Sequence, residues 1–477
     1  MSTSPSIPFT VCTIGWEPWF IDYLLGPVTE KTGIRFVNGI VGDSTRIDRA
    51  KNKYPEYEFF ALSKSKAESL PSADLKFLSQ FEHPDVPTIK SMIQGDRVLR
   101  HRPIDQSLGY ATLLAKNLQK FFDKYQPDLV LGSYDSLHAG LGFAVAKSHR
   151  IPWVAMAFTV IPDNLTGFCN ALTPDNLVPL EREEDEKLKD LAQELMNSVR
   201  KKRQSVLAYK PPGSVLQWVK QYSINISNFF RRQIASSDLG IDLYTFNTSF
   251  ERARDIVRRF KNRALLPTKK LLMEPPQGRY IYFPLHMSPE SMLDTWAPFY
   301  QDQLAFIATL SLSVPVDVSL VVKLHFSDPD NYTRTQLCSL MRRPNLFIAH
   351  PNASGHEFLI NSDLVVGIQG TSSLEAALLG KPVLLFGDSP YQHFPQTERA
   401  KTPDKLHAQI LAMLSKDASS DEEILKAYTK YLSRYQPGRI NDWSREISAE
   451  DAERYANCFQ LLKNHILSSG VRDTWYE

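Results

Sequence analysis

Cysteine is scarce in this chain. Cys12, Cys169, Cys338 and Cys458 are the four among 477 residues, and no two stand in Cys-x-x-Cys spacing. That argues against a disulfide framework and a structural zinc site, and for a reducing compartment. No apolar run reaches the ~18 residues of a membrane-crossing helix. The opening stretch MSTSPSIPFTVCTIGWEP has no basic region followed by an apolar one, so no signal peptide is expected. A cytoplasmic protein is the expectation. Net charge is only +2, which argues against a protein that coats nucleic acid. There is no Gly-x-Gly-x-x-Gly and no Gly-x-x-x-x-Gly-Lys-[Ser/Thr], so neither a dinucleotide fingerprint nor a Walker-type loop is supported. No acidic metal-binding box is expected, and no cofactor.

What is present is ample apolar material. Hydrophobic residues make up 43% and aromatics 11%, with an ordinary 23% charged. A chain of this length and composition is globular, with two or three domains. Its most readable stretch is NSDLVVGIQGTSSLEAALLGKPVLLFG, from Asn361 to Gly387. Leu364 to Ile368 suits a buried strand. Gln369-Gly370 breaks it, and Thr371-Ser372-Ser373 offers hydroxyls where a helix should begin. Gly380 ends that helix and Val383 to Phe386 is a second strand. The whole reads as one βαβ unit. Its turn suits phosphate, because a helix N-terminus presents unpaired N–H groups and a Gly lets a ligand approach. Glu375, one turn inside, suits a ribose rather than a phosphate. An ordinary capped helix is the competing reading.

Other strands are expected at Phe9 to Ile14, Phe36 to Val41, Leu129 to Leu131, Ile151 to Ala157, Tyr280 to Phe283, Val318 to Lys323 and Leu346 to Ile348. Helical segments are expected over much of Lys51 to Gln80, over Ser107 to Tyr125 and over Leu137 to Lys147. Strands alternating with helices mean parallel sheets covered on both faces. The stretch EREEDEKLKDLAQELMNSVRKKR reads as a solvated helix, and the region of about 175–240 as a helical insertion. The segment with Arg252, Arg254, Arg258, Arg259, Lys261, Arg263, Lys269 and Lys270 is either a solvated helix or a contact for anionic lipid headgroups. A Pro-rich connector, Leu266-Pro267 and Glu274-Pro275-Pro276-Gln277-Gly278, marks the domain boundary. Residues 1–265 are read as an N-terminal, acceptor-side domain, 279–415 as a nucleotide-sugar-binding domain, and 416–477 as C-terminal helices. Two such domains would form a cleft, a preferred place for small-molecule sites.

Several polar groups follow expected strands of the second domain: His286 with Ser288 and Glu290, Lys323 with His325, and Gly370 to Ser373 with Glu375. A parallel sheet brings them to one edge. Cations beside a helix N-terminus fit a diphosphate or phosphodiester.

This pattern resembles the glycosyltransferases with two Rossmann-like domains, the GT-B fold, and among them the bacterial capsule and surface-polysaccharide synthesis group that includes the capsular Kdo transferases. YIYFPLHMSPE is similar to that group's strand-loop ending in Pro-Glu. VVKLHF resembles its Lys-x-His-Pro segment, with Phe326 in place of Pro. GTSSLEAALLGKPVLLFG is similar to its Gly-[Thr/Ser] signature. Asp96-Arg97 and QPDLVLGSYDS echo it in the first domain. The resemblance covers about Tyr280 to Phe394. It implies an α/β fold of two Rossmann-like domains facing a cleft, with a nucleotide-sugar donor and a glycan or lipid-linked acceptor. It also implies that Lys323, His325 and Gly370 to Ser373 hold the donor's phosphate and Glu375 its ribose, with His286 and Glu290 also on the donor-binding side. Gly387-Asp388-Ser389-Pro390-Tyr391 lacks the Gly-Trp-Gly of some capsular Kdo transferases, so CMP-Kdo is not favoured over a UDP- or GDP-sugar.

An inverting transferase needs a base for the acceptor hydroxyl. Three first-domain loops offer one: Asp135 with His138 after Gly132, Glu17 after Gly15, and Asp43 after Gly42, ranked in that order. Glu17 sits between Trp16 and Trp19, which suit stacking on a sugar ring, and apolar neighbours would raise its pKa. Asp43 and Asp135 are also plausible helix caps. Two other functions compete. A sugar-nucleotide 2-epimerase of the same fold would need an Asp-Ser-Gly-Gly-type loop where this chain has Gly367-Ile368-Gln369-Gly370. A non-catalytic nucleotide-binding subunit of an assembly complex is the other.

Overall fold

The computed structural model describes residues 8–41, 44–64, 69–134, 136–201, 244, 247–290, 292–438, 447–468 and 470–477. They divide into two α/β units. Among the described residues the strands are β1 (Thr10–Ile14), β2 (Arg35–Ile40), β3 (Glu58–Ala61), β4 (Leu129–Gly132), β5 (Trp153–Phe158), β6 (Leu165–Cys169), β7 (Tyr280–Pro284), β8 (Ser319–Lys323), β9 (Leu346–Ala349), β10 (Leu364–Gly367), β11 (Val383–Leu385), β12 (Thr397–Arg399) and β13 (Gln436–Pro437).

The first unit's sheet has the order β13-β6-β5-β4-β1-β2-β3. From β3 to β5 every pairing is parallel, and β6 and β13 add antiparallel strands at one edge. Its strands alternate between two cores. Val11, Leu129, Leu131 and Val154 pack with Tyr455, Phe459, Leu462 and Ile466 of the helix Ala449–Leu467. Cys12, Ile14, Val130 and Trp153 pack with Leu114, Leu118 and Phe121 of the helix Ile104–Tyr125 and with Phe143 of the helix Ser136–Ser148. Both faces of the central strands β1, β4 and β5 are buried because both are covered, as parallel sheets require.

The second unit's sheet is parallel throughout, in the order β12-β11-β10-β7-β8-β9. Ile281, Phe283, Leu320, Val322, Leu364 and Val366 fill its core with Ile307, Leu310 and Leu337. The two Rossmann-like sheets expected from the sequence are therefore present. In each, strand order reverses beside the unit's first strand, between β1 and β4 and between β7 and β10. Open α/β sheets bind ligands outside the carboxyl ends of the strands at that point.

The domain limits differ from those expected. The helix Ala449–Leu467 belongs to the first unit, because its apolar stripe completes that unit's core. The helix Glu186–Lys201 belongs to the second. There it buries Leu188, Ala192, Met196 and Val199, and Arg200 meets both carboxylate oxygens of Asp421 at 2.7 and 2.8 Å. The Pro-rich connector is not the boundary either, since its Leu266 lies in the second unit's core and the chain from Ser249 is already in that unit. Within Lys51 to Gln80, β3 replaces expected helix, because Phe59 and Phe60 extend the sheet beyond β2. The remainder of the expected insertion, 202–240, lies outside the described residues. Among those described, no helix is long and apolar enough to cross a membrane.

Candidate functional site

At the second unit's switch point, β10 ends at Gly367 and the helix Thr371–Leu378 starts four residues on. Gly370 is its N-cap, with φ +97° and ψ 164°, a conformation open essentially to glycine alone. Because glycine takes that place, no side chain caps the helix, and the expected hydroxyl caps become its first three residues. The N–H groups of this first turn have no capping oxygen from the chain's own side chains, which favours an anion there. Thr371 and Ser372 are half-buried at the surface. Ser373 points inward and its hydroxyl donates to the Gln369 carbonyl at 3.4 Å. Glu375 is 2% exposed. Its charge adds to burial in pushing the pKa of the neighbouring Tyr282 phenol up.

The loop after β7 meets this turn. A side chain at Gly370 would place its Cβ 2.9 Å from the His286 Cε1 atom. The Gln369 N–H donates to His286 Nε2 at 3.4 Å, which leaves the ring proton on Nδ1, 3.5 Å from a Glu290 carboxylate oxygen. His286 is fixed from behind. The buried Gln303 accepts from its N–H at 2.8 Å and donates to its carbonyl at 3.0 Å, and a further bond ties Gln303 to the Tyr332 hydroxyl. The Ser288 N–H donates to Asp328 at 2.9 Å.

The loop after β8 supplies Lys323 and His325. The Lys323 ammonium is buried and donates to the carbonyls of Leu324 at 3.3 Å and Pro351 at 3.0 Å. Burial pushes its pKa down to about 8. That leaves one of its three N–H donors for another partner. Burial also holds His325 at about 4, with the Glu290 charge opposing and His286 and Lys323 adding. The imidazole is therefore a neutral donor at neutral pH, not the cation expected. Its Nδ1 accepts from the Ser327 N–H at 3.2 Å, so Nε2 carries the proton. His286, Glu290, Lys323, His325 and the Gly370 turn thus come together, as the sequence implied.

Asp328-Pro329-Asp330 has Asp-x-Asp spacing, a triplet absent from the sequence expectations. Both carboxylates face the Arg259 guanidinium, whose charge opposes burial's upward push on the Asp328 pKa. The triplet is a structural tie, and among the described residues no group of His, Cys, Asp and Glu could hold a metal.

The first unit has a cavity of ≈ 590 Å³ at its own switch point, lined among others by Trp16, Glu17, Trp19, Arg46, Arg97, Ser133 and His138. Gly15, with φ +77°, would bring a Cβ within 2.7 Å of His138 Nε2. The Ser136 hydroxyl lies 2.7 Å from His138 Nδ1. Asp135, ranked first with His138, lies outside the described residues, as does Asp43. Glu17 is ion-paired with Arg46, which also donates to the Val41 carbonyl at 2.6 Å. Trp19 stacks on Phe20 at 4.0 Å, and Trp16 meets the same ring edge-on while its indole N–H donates to the Gly132 carbonyl at 3.2 Å.

Asp96 organises this cavity. It is buried, and its carboxylate accepts from the N–H groups of Val98, Leu99 and Leu137, each at 2.9 Å. The last bond fixes the start of the helix that carries His138. The Asp96-Arg97 echo in the sequence pointed to the place but not to the role. Gln303, Arg46 and Tyr391, whose hydroxyl donates to the Gly370 carbonyl, left no sequence signal.

No protein-family model matches the chain. Its sequence is similar to Protein FixF of Sinorhizobium fredii, 24% identical over 184 residues. That match covers 38% of this chain and spans 43% of the relative's length. Among solved structures, it is similar to KpsC, beta Kdo 2,7 transferase, of Thermosulfurimonas dismutans, at a TM-score of 0.35 and 12% identity, covering 73% of this chain and 89% of that one. It is also similar to the UDP-GlcNAc 2-epimerase of Neisseria meningitidis, at a TM-score of 0.26 and 11% identity, covering 95% and 99%.

Proposed function

We propose that this chain is a glycosyltransferase that moves a sugar from a nucleotide-sugar donor to a glycan or lipid-linked acceptor in surface polysaccharide assembly, of capsule or lipopolysaccharide. The observation that carries this reading is the uncapped helix start at Gly370, placed at a topological switch point with His286 packed on it. The donor's phosphates lie on the N–H groups of Thr371 and Ser372 and accept from the Ser372 hydroxyl. His325 donates through Nε2–H, and Lys323 adds charge below about pH 8. The ribose role of Glu375 requires its carboxylate to be uncovered on binding.

The acceptor lies in the first unit's cavity, with Trp16 and Trp19 as apolar walls. The acceptor oxygen forms a bond to the anomeric carbon while the bond from that carbon to the phosphate oxygen breaks. The nucleotide leaves with the electron pair. The acceptor's proton passes to a base, for which His138 with Asp135 is the first candidate and Glu17, held by Arg46, the second. No metal enters this scheme; the helix start and the two side chains carry the leaving charge.

Incubation with a panel of UDP-, GDP- and CMP-sugars and saccharide acceptors tests it. Nucleotide release coupled to a lengthened acceptor is expected. Epimer formation without transfer would assign the chain to the epimerases, and binding without turnover would make it a nucleotide-binding subunit.

A further inference from the structure

Asp328 joins the two loops that carry His286 and His325. It is 2% exposed. One carboxylate oxygen accepts from the Ser288 N–H at 2.9 Å, two residues beyond His286. The backbone N–H of Asp328 donates to the His325 carbonyl at 3.2 Å. Asn331, in the same turn, donates from its side chain to the Ser288 carbonyl at 3.3 Å. The other Asp328 oxygen is ion-paired with Arg259, which comes from the helix Ser249–Ala264. That helix is tied to the turn at two further points. The buried Asn262 donates to the Asp330 carbonyl at 3.0 Å, and Arg258 donates to the Asn331 carbonyl at 3.4 Å.

We propose, on the reading of the Gly370 turn as the donor site, that Arg259 is a positioning residue of that site, acting through Asp328 on the loops that set His286 and His325 beside the turn. A carboxylate taken out of water needs a partner for its charge. Burial pushes the Asp328 carboxyl up, and the Arg259 charge is the main influence opposing it, helped by the Ser288 N–H. Asp330 brings a second negative charge, 3.5 Å from the guanidinium. Without Arg259, Asp328 either takes a proton or turns toward water, and each weakens its hold on Ser288. The fork matters as well as the charge. Nε meets Asp255 at 3.0 Å while a terminal nitrogen faces Asp328 and Asp330, a division that a lysine ammonium does not reproduce.

The test is calorimetry of the full chain with UDP, GDP and CMP, each alone. Arg259→Met should weaken binding of the nucleotide that the wild type takes by at least about tenfold, and Arg259→Lys by at least about threefold. Adding Asp328→Asn to Arg259→Met removes the stranded charge and keeps an oxygen for the Ser288 N–H. The double variant should therefore return to within about threefold of wild type. Hydrogen exchange at residues 286–290 and 325–328 should quicken in Arg259→Met and slow again in the double variant. A tie that serves stability alone would lower the unfolding midpoint and leave affinity unchanged. Wild-type affinity in a folded Arg259→Met or Arg259→Lys protein, or a double variant as weak as Arg259→Met, would overturn the inference and leave the donor site standing. Failure of the wild type to bind any of the three nucleotides would overturn the donor-site reading and the inference with it.

Discussion

The His286 imidazole occupies the space that a side chain at Gly370 would need, its Cε1 atom 2.9 Å from the position of that missing Cβ. The first unit repeats the relationship with roles exchanged between strands: there the glycine, Gly15, follows the first strand, and His138 packs on it from the helix after β4. In both units the glycine has positive φ, so backbone and imidazole approach one another at the strand ends where ligands bind.

Gly370→Ala therefore meets two obstacles, a disfavoured conformation and a clash. Thermal and urea unfolding should show a loss of about 1–3 kcal/mol. Nucleotide affinity in calorimetry should fall by at least about tenfold, because the first helical turn is displaced. Alanine at Gly278, which also has positive φ but open space around it, should cost stability without touching nucleotide binding.

The two serines of the turn should separate. Ser372 is half-buried at the surface, whereas Ser373 is fully buried and bonded to Gln369. Ser372→Ala should weaken nucleotide binding by about 1–3 kcal/mol, the cost of a hydrogen bond to a charged group. Ser373→Ala should lower the unfolding midpoint instead and leave affinity nearly unchanged. The reverse pattern in calorimetry and thermal unfolding would mean the turn is oriented otherwise.

Lys323 gives a pH signature. Its folded pKa of about 8 lies below its unfolded value of 10.5. Between these the unfolded chain holds a proton that the folded chain has released, so stability rises from about pH 8 to 10.5 and is lost again as pH falls. The full span is of order 3 kcal/mol. Urea unfolding at several pH values should show this rise, and Lys323→Met should flatten it. In parallel, nucleotide affinity should fall above about pH 8 as the charge disappears.

Asp96→Asn should act on the first unit alone. The amide has one accepting oxygen where the carboxylate has two, so the Leu137 N–H or the Val98 and Leu99 pair loses its partner. A buried donor left unpaired costs about 1–3 kcal/mol. Sugar transfer should drop more than stability does, since His138 depends on that helix start, while nucleotide binding stays as in the wild type.

The parallel strands were legible because their apolar runs are short and end in Gly, Pro or polar clusters, as at Leu364 to Gly367. What sequence could not supply was the partner of each apolar stripe. Nothing local to Glu186–Lys201 or Ala449–Leu467 says which core they complete. The same limit applies to the site. His286, Lys323, His325 and the Gly370 turn stood out by position after strands. Gln303 and Asp328, which clamp the His286 loop, act across long sequence separations and look ordinary in their own neighbourhoods. Burial, which turns His325 into a neutral donor, is likewise a property of the fold.

The most direct test of the central claim is a crystal structure of the chain with a bound nucleotide sugar. The account predicts phosphate density within hydrogen-bond distance of the Thr371 and Ser372 N–H groups and of His325 Nε2. A nucleotide seated instead in the first unit's cavity, with the Gly370 turn empty, would contradict it.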